Sequence, residues 1–211
     1  MVVDASASMG YRSGALSKLE VATTLAGALC YLLVRQQDAA GLAVMTHGRI
    51  QDVPPRASAG HLNVLLDALE HTTAQGGTHL VSAADHLAEV LPRRSSVVVL
   101  SDFLDEEQDA LKRILALRQR KNDVAVFHLV DPAELTFPFD DPTLFLDMEG
   151  EGRIEVNPRE IKESYLEEFG AFLANVKSAC AEADVDYELV RTDERLDEVL
   201  LRFLGKRGRR R

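Results

Sequence analysis

Residues 95–102, SSVVVLSD, decide the fold, because they place four consecutive apolar residues, Val97 to Leu100, directly before a carboxylate. An unbroken apolar run of this kind is typical of a strand covered on both faces, as in a parallel sheet between two helix layers. Asp102 ends the run and is expected at the carboxyl end of the strand. The stretch therefore predicts a buried central strand with an acidic side chain at the sheet edge.

Strands and helices alternate on both sides of this stretch. The helix predicted for Leu16–Gln37 carries apolar residues at helical spacing, which indicates burial against a sheet. The other predicted elements are, in chain order, an opening strand Met1–Val3, strands Leu42–Met45 and Ile50–Val53, helices Ala59–Glu70 and Leu80–Leu91, a helix from Asp105, strand Asp123–Val130, helix Pro158–Glu182, strand Asp186–Arg191 and helix Asp193–Leu204. This alternation predicts a doubly wound α/β fold, with a mostly parallel central sheet flanked by helices.

Residues 131–157 interrupt the alternation and predict an inserted hairpin, with strands Thr143–Met148 and Arg153–Val156. Within it, Phe137-Pro138-Phe139 is an aromatic pair around a proline, which either packs the insert onto the body or forms a docking patch. The domain is expected to span residues 1–204, followed by a basic flexible tail, 205–211. The opening strand is shorter than the usual 5 to 6 residues or so, and we expect it to be truncated at its N-terminus.

Composition and charge narrow the classes of partner. The chain has 211 residues, a length that suits one domain, and a net charge of −10. Its last six residues, KRGRRR, contribute five positive charges, so the preceding 205 residues sum to −15 and would repel nucleic acid. No run approaches the roughly 18 to 20 apolar residues of a membrane span, which predicts a cytoplasmic protein. Cys30 and Cys180, far apart, are predicted to be reduced core residues.

Five oxygen-bearing side chains are predicted to converge on the sheet edge. In open α/β sheets a ligand lies outside the carboxyl ends of the strands, where the strand order reverses. Three segments deliver side chains there: Asp4, Ser6 and Ser8 follow the opening strand, Thr78 follows two glycines in a loop, and Asp102 ends its strand. Each alone has a simpler explanation, since Ser and Asp also cap helices and end strands. Their convergence favours a site.

The donor types indicate which ligand such a site would hold. Hydroxyl and carboxylate oxygens are hard donors that suit Mg²⁺, Mn²⁺ or Ca²⁺ and suit zinc or copper poorly. If the three hydroxyls bind the cation directly while the carboxylates stand one water away, the cation keeps much of its charge. Such a site is expected to recruit a carboxylate from a partner.

The pattern Asp4-Ala5-Ser6-Ala7-Ser8 with Thr78 and Asp102 resembles the metal ion-dependent adhesion site of von Willebrand factor A domains. The SDF at 101–103 and the closing order of long helix, VDYELV and terminal helix are similar to the bacterial domain-of-unknown-function family fifty-eight. The resemblance covers essentially the whole chain. It implies a metal-dependent protein-interaction module that binds a divalent cation, Mg²⁺ ahead of Mn²⁺ or Ca²⁺, and a partner's Asp or Glu carboxylate.

The resemblance also bears on partners and location. Members of that family are commonly encoded beside MoxR-type AAA ATPases, which implies an adaptor or chaperone-like role with such an ATPase. They often carry a membrane-anchoring hairpin upstream of the first strand, so the parent protein is expected to be anchored on the cytoplasmic side of a membrane.

Two competing classes are weaker. A haloacid dehalogenase-like phosphatase also places an Asp after its first strand, but it needs a second Asp two residues later, and Ser6 stands there. A serine hydrolase would need a positioned base and a G-x-S-x-G elbow, and neither Ser6 nor Ser8 has one. The sequence therefore favours a binding module over an enzyme, with a vestigial structural site as a third reading.

Overall fold

The computed structural model of the protein describes residues 1–46, 49–77, 80–92, 94–104, 109–146, 148 and 152–208. It contains eight strands among those residues, six of them in one sheet. The strands are β1 (Val2–Asp4), β2 (Ala40–Thr46), β3 (Arg49–Arg56), β4 (Ser96–Ser101), β5 (Asp123–Val130), β6 (Thr143–Leu146), β7 (Arg153–Val156) and β8 (Asp186–Arg191). The helices are α1 (Lys18–Arg35), α2 (Ala59–Glu70), α3 (Leu80–Val90), α4 (Ala110–Ala116), α5 (Pro132–Thr136), α6 (Pro158–Glu182) and α7 (Leu196–Gly208).

The main sheet has the strand order β3-β2-β1-β4-β5-β8. All neighbouring pairs are parallel except the hairpin of β2 and β3 at one edge. The chain first runs outward from β1 through β2 to β3, then returns to the other side of β1 with β4. The order therefore reverses between β1 and β4. The doubly wound α/β fold predicted from the sequence is confirmed.

Each face of the sheet is covered by its own helix layer. On one face, Val3, Val98 and Leu100 pack with α1, α2 and α7. On the other, Val97 and Val99 pack with α3, α4 and α6. Because both faces are buried, residues 97–100 of β4 are all apolar, as the sequence predicts, and only the two ends of the strand, Ser96 and Ser101, are polar. The cysteines are buried free thiols, one in each layer, Cys30 and Cys180.

The inserted segment forms the predicted hairpin, a separate two-stranded sheet of β6 and β7. A short helix that the sequence analysis did not predict, α5, precedes it. Asp131 caps α5: its side chain accepts from the Ala133 amide, while Glu134 reaches back to the Asp131 amide. The aromatic pair predicted for this segment packs inward, because Phe137 is 4% exposed and its ring lies 4.6 Å from that of Tyr165 on α6.

The sequence analysis predicts a flexible tail from residue 205. This prediction is wrong for residues 205–208, which continue α7. Lys206 binds the buried carboxylate of Glu188 at 2.5 Å, and Arg207 pairs with Asp123. The acidic partners lie on β8 and at the start of β5, where the local sequence gives no sign of them. In the part of the chain that the structure covers, no helix combines the length and apolar character needed to cross a bilayer.

Candidate metal centre

The reversal point between β1 and β4 places the two predicted acidic residues side by side. Val2 pairs with Val99 and Val3 with Leu100, so Asp4 follows the last pair on one strand as Ser101 and Asp102 do on the other. Asp4 is 1% exposed and Asp102 2% exposed. Both side chains lie at the carboxyl edge of the sheet, where the sequence analysis places them, and both are buried there.

Both oxygens of the Asp4 carboxylate accept a hydrogen bond. Oδ1 accepts from the amide of Ser6 at 2.9 Å, and Oδ2 accepts from the hydroxyl of Ser101 at 2.6 Å. Burial, and after it the negative charge of Asp102, raises the pKa of Asp4 to about 7. The two hydrogen bonds fix the orientation of the Asp4 carboxylate at the sheet edge.

The hydroxyls of Ser6 and Ser8 lie 3.0 Å apart and are hydrogen-bonded to each other. Ser6 occupies the position that precedes a single 3₁₀ turn, Ala7–Gly10, yet its side chain makes no capping bond. Capping therefore does not account for this hydroxyl. The spacing also equals the edge of an octahedron whose metal–oxygen bonds are about 2.1 Å, which is the geometry that Mg²⁺ demands.

The loop that leads to Thr78 is bound to this segment. The amide of Ala7 donates to the carbonyl of Gly76 at 2.8 Å, and the amide of Gln75 donates to that of Ala5 at 2.9 Å. Gly76 has φ of 73°, a left-handed conformation that glycine adopts without strain. The described part of the loop thus reaches the sheet edge. Thr78 itself lies outside the described residues, so its place in the site stays a prediction.

A tight backbone turn presents Asp102. Its Oδ1 accepts from the amide of Leu104 at 3.1 Å, and the amide of Phe103 donates to Ser101 Oγ at 2.9 Å. Phe103 has φ of 56°, which is unusual for a large side chain. Asp102 Oδ2 is buried and, within the described chain, receives no hydrogen bond of good geometry, although Nζ of Lys18 lies 2.7 Å away.

His128 supports this turn and was not singled out from the sequence. Nε2–H of His128 donates to the Asp102 carbonyl at 3.0 Å, and Nδ1 accepts from the hydroxyl of Tyr187 at 3.0 Å. Burial lowers the pKa of His128 to about 4, so the ring is neutral at pH 7. A histidine in the otherwise apolar run of β5 is the sequence signal that could have found it.

Three other supporting residues also escaped the sequence analysis: Ser101, Lys18 and Glu134. Ser101 adjoins Asp102 and could have been noticed from its position. Lys18 begins α1 and contacts Glu134 of α5, 116 residues further on, at 2.7 Å. No local pattern marks such a pair, because the two residues lie in segments far apart in the chain.

The donor set fits a hard divalent cation. Within the described segments, no three side chains of His, Cys, Asp or Glu are grouped as in a centre built from those types alone. The candidate site instead combines the hydroxyls of Ser6 and Ser8 with the carboxylates of Asp4 and Asp102. Hydroxyl oxygens leave a bound cation nearly undiminished in charge, which makes it receptive to an anionic ligand.

Comparison with known proteins supports both the family and the fold. The model of a family described as "Protein of unknown function DUF58" matches residues 1–171. Among curated proteins, no significant match is found.

Three solved structures share the fold. The chain is 18% identical to the conserved hypothetical protein BatB from Bacteroides thetaiotaomicron, with a TM-score of 0.61 over 99% of this chain and 97% of that one. An aerotolerance-related membrane protein from Bacteroides fragilis, carrying multiple mutations to serine, gives 19% identity and a TM-score of 0.60 over 90% of both chains. The SpRpn10 VWA domain gives 11% identity and a TM-score of 0.52 over 95% of this chain and 92% of that one. At these identities the likeness establishes a VWA-like fold.

Proposed function

The chain belongs to the DUF58 family of proteins of unknown function, and on that premise we propose that it is a metal-dependent protein-interaction module with a metal ion-dependent adhesion site. In this proposal Ser6, Ser8 and Thr78 bind a divalent cation, Mg²⁺ ahead of Mn²⁺ or Ca²⁺. Asp4 and Asp102 hold water around it. A carboxylate from an Asp or Glu of a protein partner completes the coordination.

One observation carries the proposal. Each oxygen of Asp4 already accepts one hydrogen bond from the protein, while the hydroxyls of Ser6 and Ser8 stand 3.0 Å apart beside it. Neutral hydroxyls would supply the direct bonds, and the negative charge would remain at the distance of one water. A cation bound in this way retains positive charge and binds an anion from outside.

The same observation disfavours the phosphatase alternative. A nucleophilic aspartate needs a free oxygen aimed at the substrate and an acid–base group nearby. Each oxygen of Asp4 already accepts a hydrogen bond from the protein, and Ser6, which stands where such an enzyme needs its acid–base aspartate, is bonded through its hydroxyl to Ser8. The domain is therefore proposed to bind and not to catalyse.

A MoxR-type AAA ATPase is the proposed partner, in keeping with the family resemblance. The ATPase would offer an acidic side chain to the site, and the domain would act as its adaptor in maturing other proteins. Because ATP is available in the cytoplasm, this partnership puts the site on the cytoplasmic side, whatever anchors the parent protein.

The proposal is tested by capture of the co-expressed ATPase on the immobilised domain, with Mg²⁺ or with EDTA. Capture is expected only with Mg²⁺, and Asp4→Ala or Thr78→Ala should abolish it while circular dichroism stays unchanged. The matched control is Ser58→Ala, an exposed serine that precedes α2 and whose side chain makes no capping bond. Equal capture in EDTA would contradict the proposal.

A further inference from the structure

Lys18 is a fully buried lysine in contact with the candidate site. Its side chain is 1% exposed, and Nζ lies 2.7 Å from both Asp102 Oδ2 and Glu134 Oε1. Two carboxylate oxygens at 2.7 Å from Nζ hold the residue as an ammonium ion inside the protein.

The position is an unfavourable one for a cation. Lysine is almost never fully buried unless it is paired. Lys18 is also the first residue of α1, where the helix dipole is positive and favours negative charge. The two carboxylates that stabilise it come from separate elements, the turn after β4 and helix α5. The free-energy cost of burying a charged lysine at the N-terminus of a helix points to a role beyond solubility or helix formation.

The carboxylates around Lys18 are themselves fixed. Asp102 Oδ1 is held by the amide of Leu104, and Glu134 Oε2 is held by the amide of Asp131 at 2.7 Å. The oxygens of Asp131, the next carboxylate, accept from other donors, on Ser13, Ala133 and Thr192. Lys18 therefore has a fixed place against one oxygen of a candidate metal ligand.

We propose that Lys18 is a positioning residue that keeps Asp102 from bonding a cation directly and adds positive charge to the loaded site. This inference rests on the proposed function and deepens it. A like charge beside the site weakens the binding of a divalent cation. The same charge strengthens the attraction of the loaded site for a carboxylate. Lys18 thus lowers the affinity of the site for the cation and raises the affinity of the loaded site for the partner's carboxylate.

Glu134 is expected to affect the two affinities in the directions opposite to those of Lys18. Its carboxylate, with Oε1 at 2.7 Å from Nζ, neutralises part of the Lys18 charge. Removing the charge of Glu134 should therefore have effects opposite in sign to those of removing the charge of Lys18. A purely structural ion pair predicts no such opposition, since breaking it from either side would loosen the same site.

The experiment measures two affinities in each variant. Binding of Mn²⁺ is followed by electron paramagnetic resonance, and binding of acetate to the Mn²⁺-loaded protein by broadening of its methyl resonance. Lys18→Met is expected to bind Mn²⁺ about tenfold more tightly, because a like charge beside the cation is removed, and acetate several-fold more weakly. Glu134→Gln is expected to shift both affinities the other way. The control is Lys112→Met, which removes an exposed lysine of α4 that pairs with Asp109.

The outcomes separate the two proposals. If the unaltered protein binds no Mn²⁺, the proposed function fails and the role of Lys18 fails with it. If the unaltered protein binds Mn²⁺ but both affinities fall together in Lys18→Met, Lys18 is a structural ion pair and this inference alone is overturned. Should Lys18→Met not fold, Glu134→Gln decides: weaker Mn²⁺ and stronger acetate binding support the role, and unchanged affinities overturn it.

Discussion

The hydroxyl of Ser101 donates to Oδ2 of Asp4 at 2.6 Å, joining the ends of two strands that are 97 residues apart in the chain. Ser101 also accepts from the Phe103 amide, so one side chain orders both the Asp4 carboxylate and the turn that carries Asp102. The candidate site is therefore a product of the pairing of β1 with β4 and exists only when that pairing is made.

Ser101→Ala is expected to lower the free energy of unfolding by about 1 to 3 kcal/mol, since it leaves a buried carboxylate oxygen without its donor. Urea denaturation at pH 7 in EDTA measures the change. Ser101→Thr keeps the hydroxyl and is the control for the loss of the bond. A Ser101→Ala protein as stable as the parent would show that the bond contributes nothing.

Ser6→Ala is expected to remove most of the stabilisation that Mg²⁺ gives. Mg²⁺ at 100 times its dissociation constant should stabilise the parent protein by about 2.7 kcal/mol, because the ion binds only the folded state. Thermal melts with and without Mg²⁺ measure the difference. Ser58→Ala should retain the full effect, and an equal loss in both variants would argue against direct binding by Ser6.

The metal-free protein should become less stable as the pH rises from about 4 through 7, as far as Asp4 contributes. Its folded-state pKa, about 7, is above the ordinary value of 3.8, so the folded state prefers the protonated acid. The contribution is present at low pH and is lost as pH rises through 7. Asp4→Asn should lack this slope in EDTA, and a parent protein with the same pH profile as Asp4→Asn would contradict the assignment.

The contribution of His128 to stability should depend on pH in the direction opposite to that of Asp4. The folded-state pKa of His128, about 4, is below the ordinary 6.5, so the unfolded chain takes up the proton first. Stability is expected to fall between pH 6.5 and 4, by up to about 3 kcal/mol from this group. Denaturant unfolding at pH 7 and pH 5 should show a smaller difference in His128→Gln than in the parent. A difference of the same size in both would mean that other groups govern acid stability.

The end of α7 should depend on Glu188, whose side chain is 5% exposed and pairs with Arg202 and Lys206. Glu188→Gln removes the charge from this buried position, and we expect the amides of the last helical turn to exchange hydrogen at least several-fold faster. Hydrogen exchange read by mass spectrometry gives the rate. Glu198→Gln, which changes an exposed glutamate near the start of α7, should leave that last turn unchanged.

The fold was predictable because its evidence is local. Apolar runs at 97–100 and 123–130 and the helical spacing of α1 each indicate a single element, and their alternation leaves few arrangements. The helix boundaries were predicted less accurately. The sequence analysis began α1 at Leu16, but the helix begins at Lys18, directly after Ser17, which forms a capping box with Glu20. The short helix α5 carries the same signal at Asp131 and Glu134, which was overlooked because residues 131–157 were interpreted as an inserted hairpin.

The site was predictable only in part. Asp4, Ser6 and Ser8 share one short segment, and Asp102 follows a recognisable strand, so their meeting at the sheet edge follows from topology. The contacts of Lys18 with Asp102 and Glu134 depend on packing between segments 84 and 116 residues away from it in the chain. Charge and hydropathy patterns treat such a lysine as a surface residue. Only the assembled structure reveals it as buried.

The chain has no tryptophan and four tyrosines, so its near-ultraviolet circular dichroism and its emission come mainly from tyrosine. Tyr187 bonds His128, Tyr11 lies with its ring 5.9 Å from the ammonium of Lys18, and Tyr165 contacts Phe137 of the insert. Tyr31, on α1, is the fourth and is 48% exposed. Three of the four tyrosines thus lie beside the residues that support the candidate site. Near-ultraviolet circular dichroism and tyrosine emission can therefore record a rearrangement of these supporting residues without any label.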